Sequence, residues 1–231
     1  MVSDDPAKGL GLAVPEALLL QGLKETIGEP AAEVALVSAY FVPAAAGTDA
    51  FAALAERGVN VTVLTNSLEA TDVAPVHAGY AKRRKSLLEA GMTLYELRRL
   101  SPDTGANKRV GLVGSSGSSG TSAAGLHAKT FSVDRSYVCI GSFNFDPCSA
   151  KLNTEMGFVI DSPALAQRIA AAFDSSIPAN AYEVRLSDTG ELFWIERRGE
   201  QLVRHDTEPG TSFWQRAGVW FLSLFPIEWL L

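Results

Sequence analysis

LHAKTFSVDRSYVCIGSFNFDPCSAKLNTE, residues 126–155, is the stretch from which the rest of the chain is best read. Its apolar runs at 127–133 and 137–142, and a third from 154 to 160, are rich in Val, Ile, Phe and Tyr and read as short strands. Side chains two apart on a strand share a face, so His127 pairs with Lys129, and Ser142 with Asn144. Asp134 follows Lys129 by five residues, and Glu155 opens the third run. A turn at 134–136 gathers these groups from three strands. Histidine is the usual side chain for nucleophilic or acid–base work near neutral pH. Lysine is a point charge for phosphate. Serine and asparagine supply neutral donors for oxygens on which charge develops. A carboxylate can fix an imidazole tautomer. This set suits attack on a phosphodiester, with no metal and no cofactor.

Upstream, helices and strands alternate. Helices are expected at 15–27, 48–57 and 77–90, the last two stopped by Gly58 and Gly91. Strands are expected at 34–42, 59–64 and 93–97. This alternation predicts an α/β domain with a largely buried sheet. The pattern breaks from 98 to 125, which contains GSSGSSGTSAAG at 114–125. A cover over a site and a surface excursion both fit so long a loop. It is not a P-loop, having no Gly-Lys-Ser/Thr ending. Downstream come a helix at 163–173, a small meander at 182–205 and an aromatic-rich tail. The organisation expected is a domain over 1–178 and a C-terminal extension over 179–231.

The 231 residues suffice for a full core, and 47% of them are hydrophobic, which excludes disordered and collagen-like classes. Two cysteines exclude a disulfide scaffold and a four-cysteine zinc site. A net charge of −6 argues against a general coat for duplex DNA, so nucleic acid is not the expected partner. No secretory signal and no apolar stretch long enough to span a bilayer are visible. Charge is uneven: residues 77–109 hold eight Lys or Arg against three acids. That local field could attract a phosphate group, or be a solvated helix face.

The spacing His127-x-Lys129-x4-Asp134-x6-Gly141-Ser142-x-Asn144 resembles the HKD signature of the phospholipase D superfamily. Residues 65–97, GFVIDSP at 157–163 and EPGTSFWQRAGVWFLSLFPIEWLL at 208–231 are similar to bacterial cardiolipin synthases. The resemblance implies a mixed β-sheet flanked by helices. It implies that His127 is catalytic, that Lys129, Ser142 and Asn144 bind the phosphoryl group, and that Glu155 orients the histidine. Asp134 belongs to the signature but is often structural. The implied reaction is a two-step phosphatidyl transfer on a phosphatidylglycerol-like phospholipid, by way of a phosphohistidine.

Such an active site needs two HKD motifs, and this sequence has one: neither His77 nor His205 is followed by Lys two residues on. The opening DDPAKG at 4–9 resembles the junction between repeats in two-motif enzymes, so the chain looks like their C-terminal half. In that half the histidine tends to be the general acid; a homodimer could use His127 in either role. Cys148 stands where relatives commonly carry Arg. The implied partners are a phospholipid, a membrane surface and a second HKD-bearing half or second copy, with a cytoplasmic location peripheral to the cell membrane. Two other readings stay open: a single-motif dimeric nuclease, and an inactive fragment. His77, Tyr80 and Arg84 share one helical face and are candidate substrate contacts or simply a polar face. Asn66 and Asp72 are weaker candidates. The tail, with Trp214, Trp220 and Trp229, suits either a bilayer surface or packing against the missing half.

Overall fold

The computed structural model describes residues 1–99 and 126–225, so the 98–125 loop lies almost wholly outside the described residues, as does Trp229. Three parallel strands form the middle of the sheet: β2 (Glu33–Ser38), β3 (Asn60–Asn66) and β4 (Thr93–Leu97). They are joined by α2 (Ala44–Glu56) and α3 (Ala74–Glu89). On one side β5 (Lys129–Val133), β6 (Tyr137–Gly141), β7 (Met156–Asp161) and the short β1 (Val2–Ser3) add antiparallel. On the other, β8 (Ala181–Leu186), β9 (Leu192–Arg198) and β10 (Gln201–His205) do the same. Among the described residues the strand order is β1-β7-β6-β5-β2-β3-β4-β8-β9-β10. The expected meander is therefore the continuation of the main sheet across β4, and Ala181, Tyr182, Val184 and Trp194 of its strands share the sheet's core.

Strand alternation divides that core in two. In β2, Val34 and Leu36 face α2 and α3, packing with Phe41, Phe51, Tyr80, Leu87 and Leu94. Ala35 and Val37 face α5 (Pro163–Asp174) and α6 (Ser176–Asn180), packing with Val138, Ile169, Phe173 and Ile177. Helices on both faces explain why the central strands are near-continuous apolar runs. The remaining helices are α1 (Leu19–Ile27), α4 (Pro147–Lys151) and α7 (Phe213–Ser223).

The β5–β6 hairpin sets the register of the motif. Asp134 and Arg135 both take left-handed conformations, at φ 50° and 51°, which the tight primed turn requires and which Asp tolerates. The Asp134 carboxylate accepts from the backbone N–H groups of Ala31, Ala32 and Glu33 at 2.9, 2.7 and 2.9 Å, tying the turn to the entry of β2. These bonds hold its carboxyl below the usual range although burial opposes them.

Candidate active site

His127 lies two residues before β5 and its backbone is clamped on both sides. The buried Asn66, last residue of β3, accepts from Leu126 N at 2.9 Å. Its amide donates to Leu126 O and Ala39 O at 3.1 and 3.2 Å. Ala39 N in turn donates to Ala128 O at 3.1 Å. The imidazole itself is exposed and, among the described residues, has no hydrogen-bond partner. A clamped backbone thus presents a ring that no described residue engages.

Lys129 follows on the same face, opposite Ser38 of β2 and half-buried. Burial pulls its ammonium below the ordinary value, against the opposing pull of Glu155 and Asp146. Ser142 continues the β6–β7 pairing, its N–H donating to Met156 O at 2.9 Å. The Ser142 hydroxyl donates to Glu155 and accepts from Met156 N at 3.1 Å. The preceding Gly141 faces Gly157, and a Cβ on Gly141 would collide with the Met156 carbonyl and the Gly157 Cα. Only glycine lets the two strands close behind Ser142. Asn144 N donates to the Ser149 hydroxyl at 3.3 Å, and its Oδ1 is buried with no hydrogen-bond partner among the described residues.

Glu155 is 6% exposed and is fixed by the N-terminal segment. Its N–H donates to Asp4 Oδ2, and Asp4 N donates to its carbonyl, both at 2.8 Å. Lys8, itself buried, donates to Asp4 Oδ2 at 2.5 Å and to Ser149 O at 2.7 Å. Burial opposes ionisation of Asp4, but hydrogen bonds from Leu19, Lys8 and Glu155 hold its carboxyl below the usual range. Asp146 caps α4 by accepting from Ser149 N at 2.7 Å. Burial raises its carboxyl, nearby Glu155 adds to the rise, and Ser149 and Lys129 oppose it.

The structure thus brings Lys129, Ser142 and Glu155 to one rim, with Asn144 held by the α4 turn beside it. Glu155 is hydrogen-bonded to Ser142, and among the described residues His127 receives no bond from it. Asp134 is not at this rim but at the far end of β5. His77, Tyr80 and Arg84, each 2% exposed, are neither a solvated face nor an open subsite. Arg84 pairs with Glu96 at 2.9 Å and Glu208 at 2.7 Å, and His77 Nε2 lies 3.1 Å from the same Glu208 oxygen. Tyr80 packs on His77 and beneath the Arg84 guanidinium. Cys148 is the second residue of α4 and half-buried.

Sequence reasoning missed Asp146, Asp4 and Lys8. Asp146-Pro147 carried a readable signal, a capping carboxylate followed by proline at the first helical position. Asp4 and Lys8 carried none, because their partners lie some 140 to 150 residues away in the sequence.

Residues 23–177 match the family described as cardiolipin synthase, PLD-like domain. The whole chain is 46% identical to cardiolipin synthase C of Escherichia coli K12, covering 48% of that protein. An uncharacterized protein of Helicobacter pylori is 29% identical over 79% of the chain, which covers 34% of it. The chain thus spans half or less of the length of these relatives. Among solved structures, phosphatidylserine synthase of Haemophilus influenzae superposes with a TM-score of 0.56 at 15% identity, over 94% of this chain and 46% of that one. Nuc of Salmonella typhimurium, a phospholipase D family member, gives 0.52 at 20% identity, over 74% and 93%. At those identities the structural likeness concerns the fold.

Proposed function

The chain belongs to the family of cardiolipin synthase PLD-like domains, and from that premise we propose that it is one half of a phospholipid phosphatidyltransferase active site, completed by a second HKD-bearing half. The observation that carries this reading is the state of His127. The backbone on either side of it is held by Asn66 and Ala39, yet its ring is exposed and without a hydrogen-bond partner among the described residues, two residues before Lys129. A complete phosphodiester-transfer site needs a nucleophile and an acid on opposite sides of phosphorus.

In the first step the imidazole nitrogen of the second half attacks the phosphorus of a phosphatidylglycerol-like lipid. A P–N bond forms, the P–O bond to the leaving alcohol breaks, and His127 delivers the proton that alcohol needs. In the second step the hydroxyl of an acceptor lipid attacks phosphorus, His127 takes its proton, and the P–N bond breaks. Lys129 offsets the phosphoryl charge, Asn144 donates to its oxygens, and the Ser142 hydroxyl joins it by exchanging Glu155 for a phosphoryl oxygen when lipid binds. The setting for such a reaction is the membrane surface, with the protein peripheral to it; no helix among the described residues is long and apolar enough to cross a bilayer. Residues 1–178 are read as the motif-bearing domain and 179–231 as an extension built onto its sheet.

The test is an assay on phosphatidylglycerol liposomes with and without the second half, with the products separated by chromatography. Cardiolipin formed with both halves present, and lost with His127→Ala, is the expected result. No phosphatidyl transfer with both halves present overturns the reading.

A further inference from the structure

The helix α7 is turned inside out. At 100° per residue, Phe213, Trp214, Ala217, Trp220, Phe221, Leu224 and Phe225, from α7 and the turn after it, share an arc of roughly 140°. All of these but Ala217 are exposed, Trp214 at 80% and Trp220 at 64%. The face turned toward the protein holds Val219 and Leu222, which pack with Leu68, Ala78 and Ala81 of β3's exit and α3. The solvent side is therefore more apolar and far more aromatic than the packed side, and Arg216 is the helix's one charged residue. A capping box at Ser212 and Gln215 shows the helix start is well formed rather than frayed.

Basic residues border this face. Lys82 and Arg216 line one groove with Trp220 and Val219. The acids of that groove are engaged: Asp206 with Arg204 at 2.7 Å, and Glu208 with Arg84 and His77. In a chain of net charge −6, an aromatic face bordered by Lys82 and Arg216 complements an anionic surface. Aromatic rings suit the boundary between headgroups and acyl chains. The position agrees as well. Leu68, beneath Val219, is two residues past Asn66, which clamps Leu126 beside His127. The exposed apolar residues on the catalytic side, Ile140, Met156 and Phe158, lie on β6 and β7, in another part of the strand order. They are where a second half has reason to dock, leaving the α7 face for something else.

We infer that the aromatic face of α7, with Lys82 of α3 and Arg216 at its border, is the surface by which the protein rests on an anionic phospholipid bilayer. The choice of a bilayer rests on the lipid-transfer reading, but the test reads binding without activity. The full chain is sedimented with vesicles of phosphatidylcholine alone and of phosphatidylcholine mixed with phosphatidylglycerol, while Trp fluorescence is followed. Binding to the mixed vesicles with a blue shift is expected. Trp214→Ser with Trp220→Ser abolishes it, Lys82→Ala weakens it about fivefold, and His127→Ala leaves it intact. Circular dichroism confirms that these exposed-site variants fold. The inference is overturned if the parent does not sediment, if the double Trp variant binds as the parent does, or if adding the second half without vesicles produces the blue shift in this chain's Trp214 and Trp220. Binding without phosphatidyl transfer by the two halves would keep this surface and remove the catalytic reading.

Discussion

Asn66→Ala is the substitution whose outcome the structure specifies most fully. One buried amide makes three hydrogen bonds, to Leu126 N, Leu126 O and Ala39 O. Alanine leaves all three backbone groups without that partner in a place where Leu126 is 3% exposed. At about 1 kcal/mol net for each bond, the loss is about 3 kcal/mol. For a chain of this size each kcal/mol moves Tm by about 2–4 °C, so a fall of about 6–12 °C is expected in thermal unfolding followed by near-ultraviolet circular dichroism. Asn66→Asp separates the two roles of the amide. It can still accept from Leu126 N but sets a carboxylate against two carbonyl oxygens, so it should unfold at least as early as the alanine variant. Because the same bonds place His127, transfer with the second half should lose kcat while KM stays near the parent value, since small misplacement of a reacting group is costly. A Tm within about 2 °C of the parent, or an Asn66→Asp variant as stable as the parent, would refute the clamp.

Other expectations follow from the same contacts. Lys8→Ala strands the buried Asp4 and should cost about 3–5 kcal/mol in denaturant unfolding. Gly141→Ala drives a Cβ into the β7 backbone and should destabilise by about 1–3 kcal/mol or more, with Gly157→Ala, whose Cβ would meet nothing closer than 3.6 Å, much milder. Glu208 is held down to about 2 by Arg84 and His77 despite its burial, from an ordinary value of 4.5. A lowered folded-state value means its stabilisation is present above about pH 4.5 and disappears as pH falls toward 2, a contribution of about 3 kcal/mol. The difference between the parent's and Glu208→Gln's Tm-versus-pH curves should therefore collapse across that window, even though Glu196, also held at about 2, titrates over the same range in both proteins.

Local patterning made much of this fold readable. The run at 93–97 became β4 with the same bounds, and the helices expected at 77–90 and 163–173 shifted by three residues at most. The motif strands appeared in the register that puts Lys129 and Ser142 together, because period-two alternation and a tight turn are local properties. Long-range pairing was not readable. Nothing in 182–205 announces that β8 pairs with β4, since a strand's long-range partner is chosen by what the pairing covers, not by its own sequence. Within the basic run of α3, Lys82 and Lys85 are exposed as a solvated face would be, but Arg84 is buried because Glu96 and Glu208 reach it from other elements. Asn66 at the end of β3 looked like a weak substrate contact, and became a clamp only once Leu126, 60 residues away, lay against it. The aromatic tail hid a helix because α7's apolar arc faces outward, the reverse of the usual signal.

The central claim is that this chain holds a single reactive histidine and that phosphatidyl transfer needs another from a second HKD-bearing half. The direct measurement is transfer activity on phosphatidylglycerol vesicles at a fixed concentration of this chain as the second half is titrated in, with the mass of the active species followed by sedimentation. The account predicts no transfer by the isolated monomer, activity that saturates when the two halves are equimolar, and none at any ratio with His127→Ala. Transfer by a monomer of this chain alone, or undiminished transfer with His127→Ala, would contradict it.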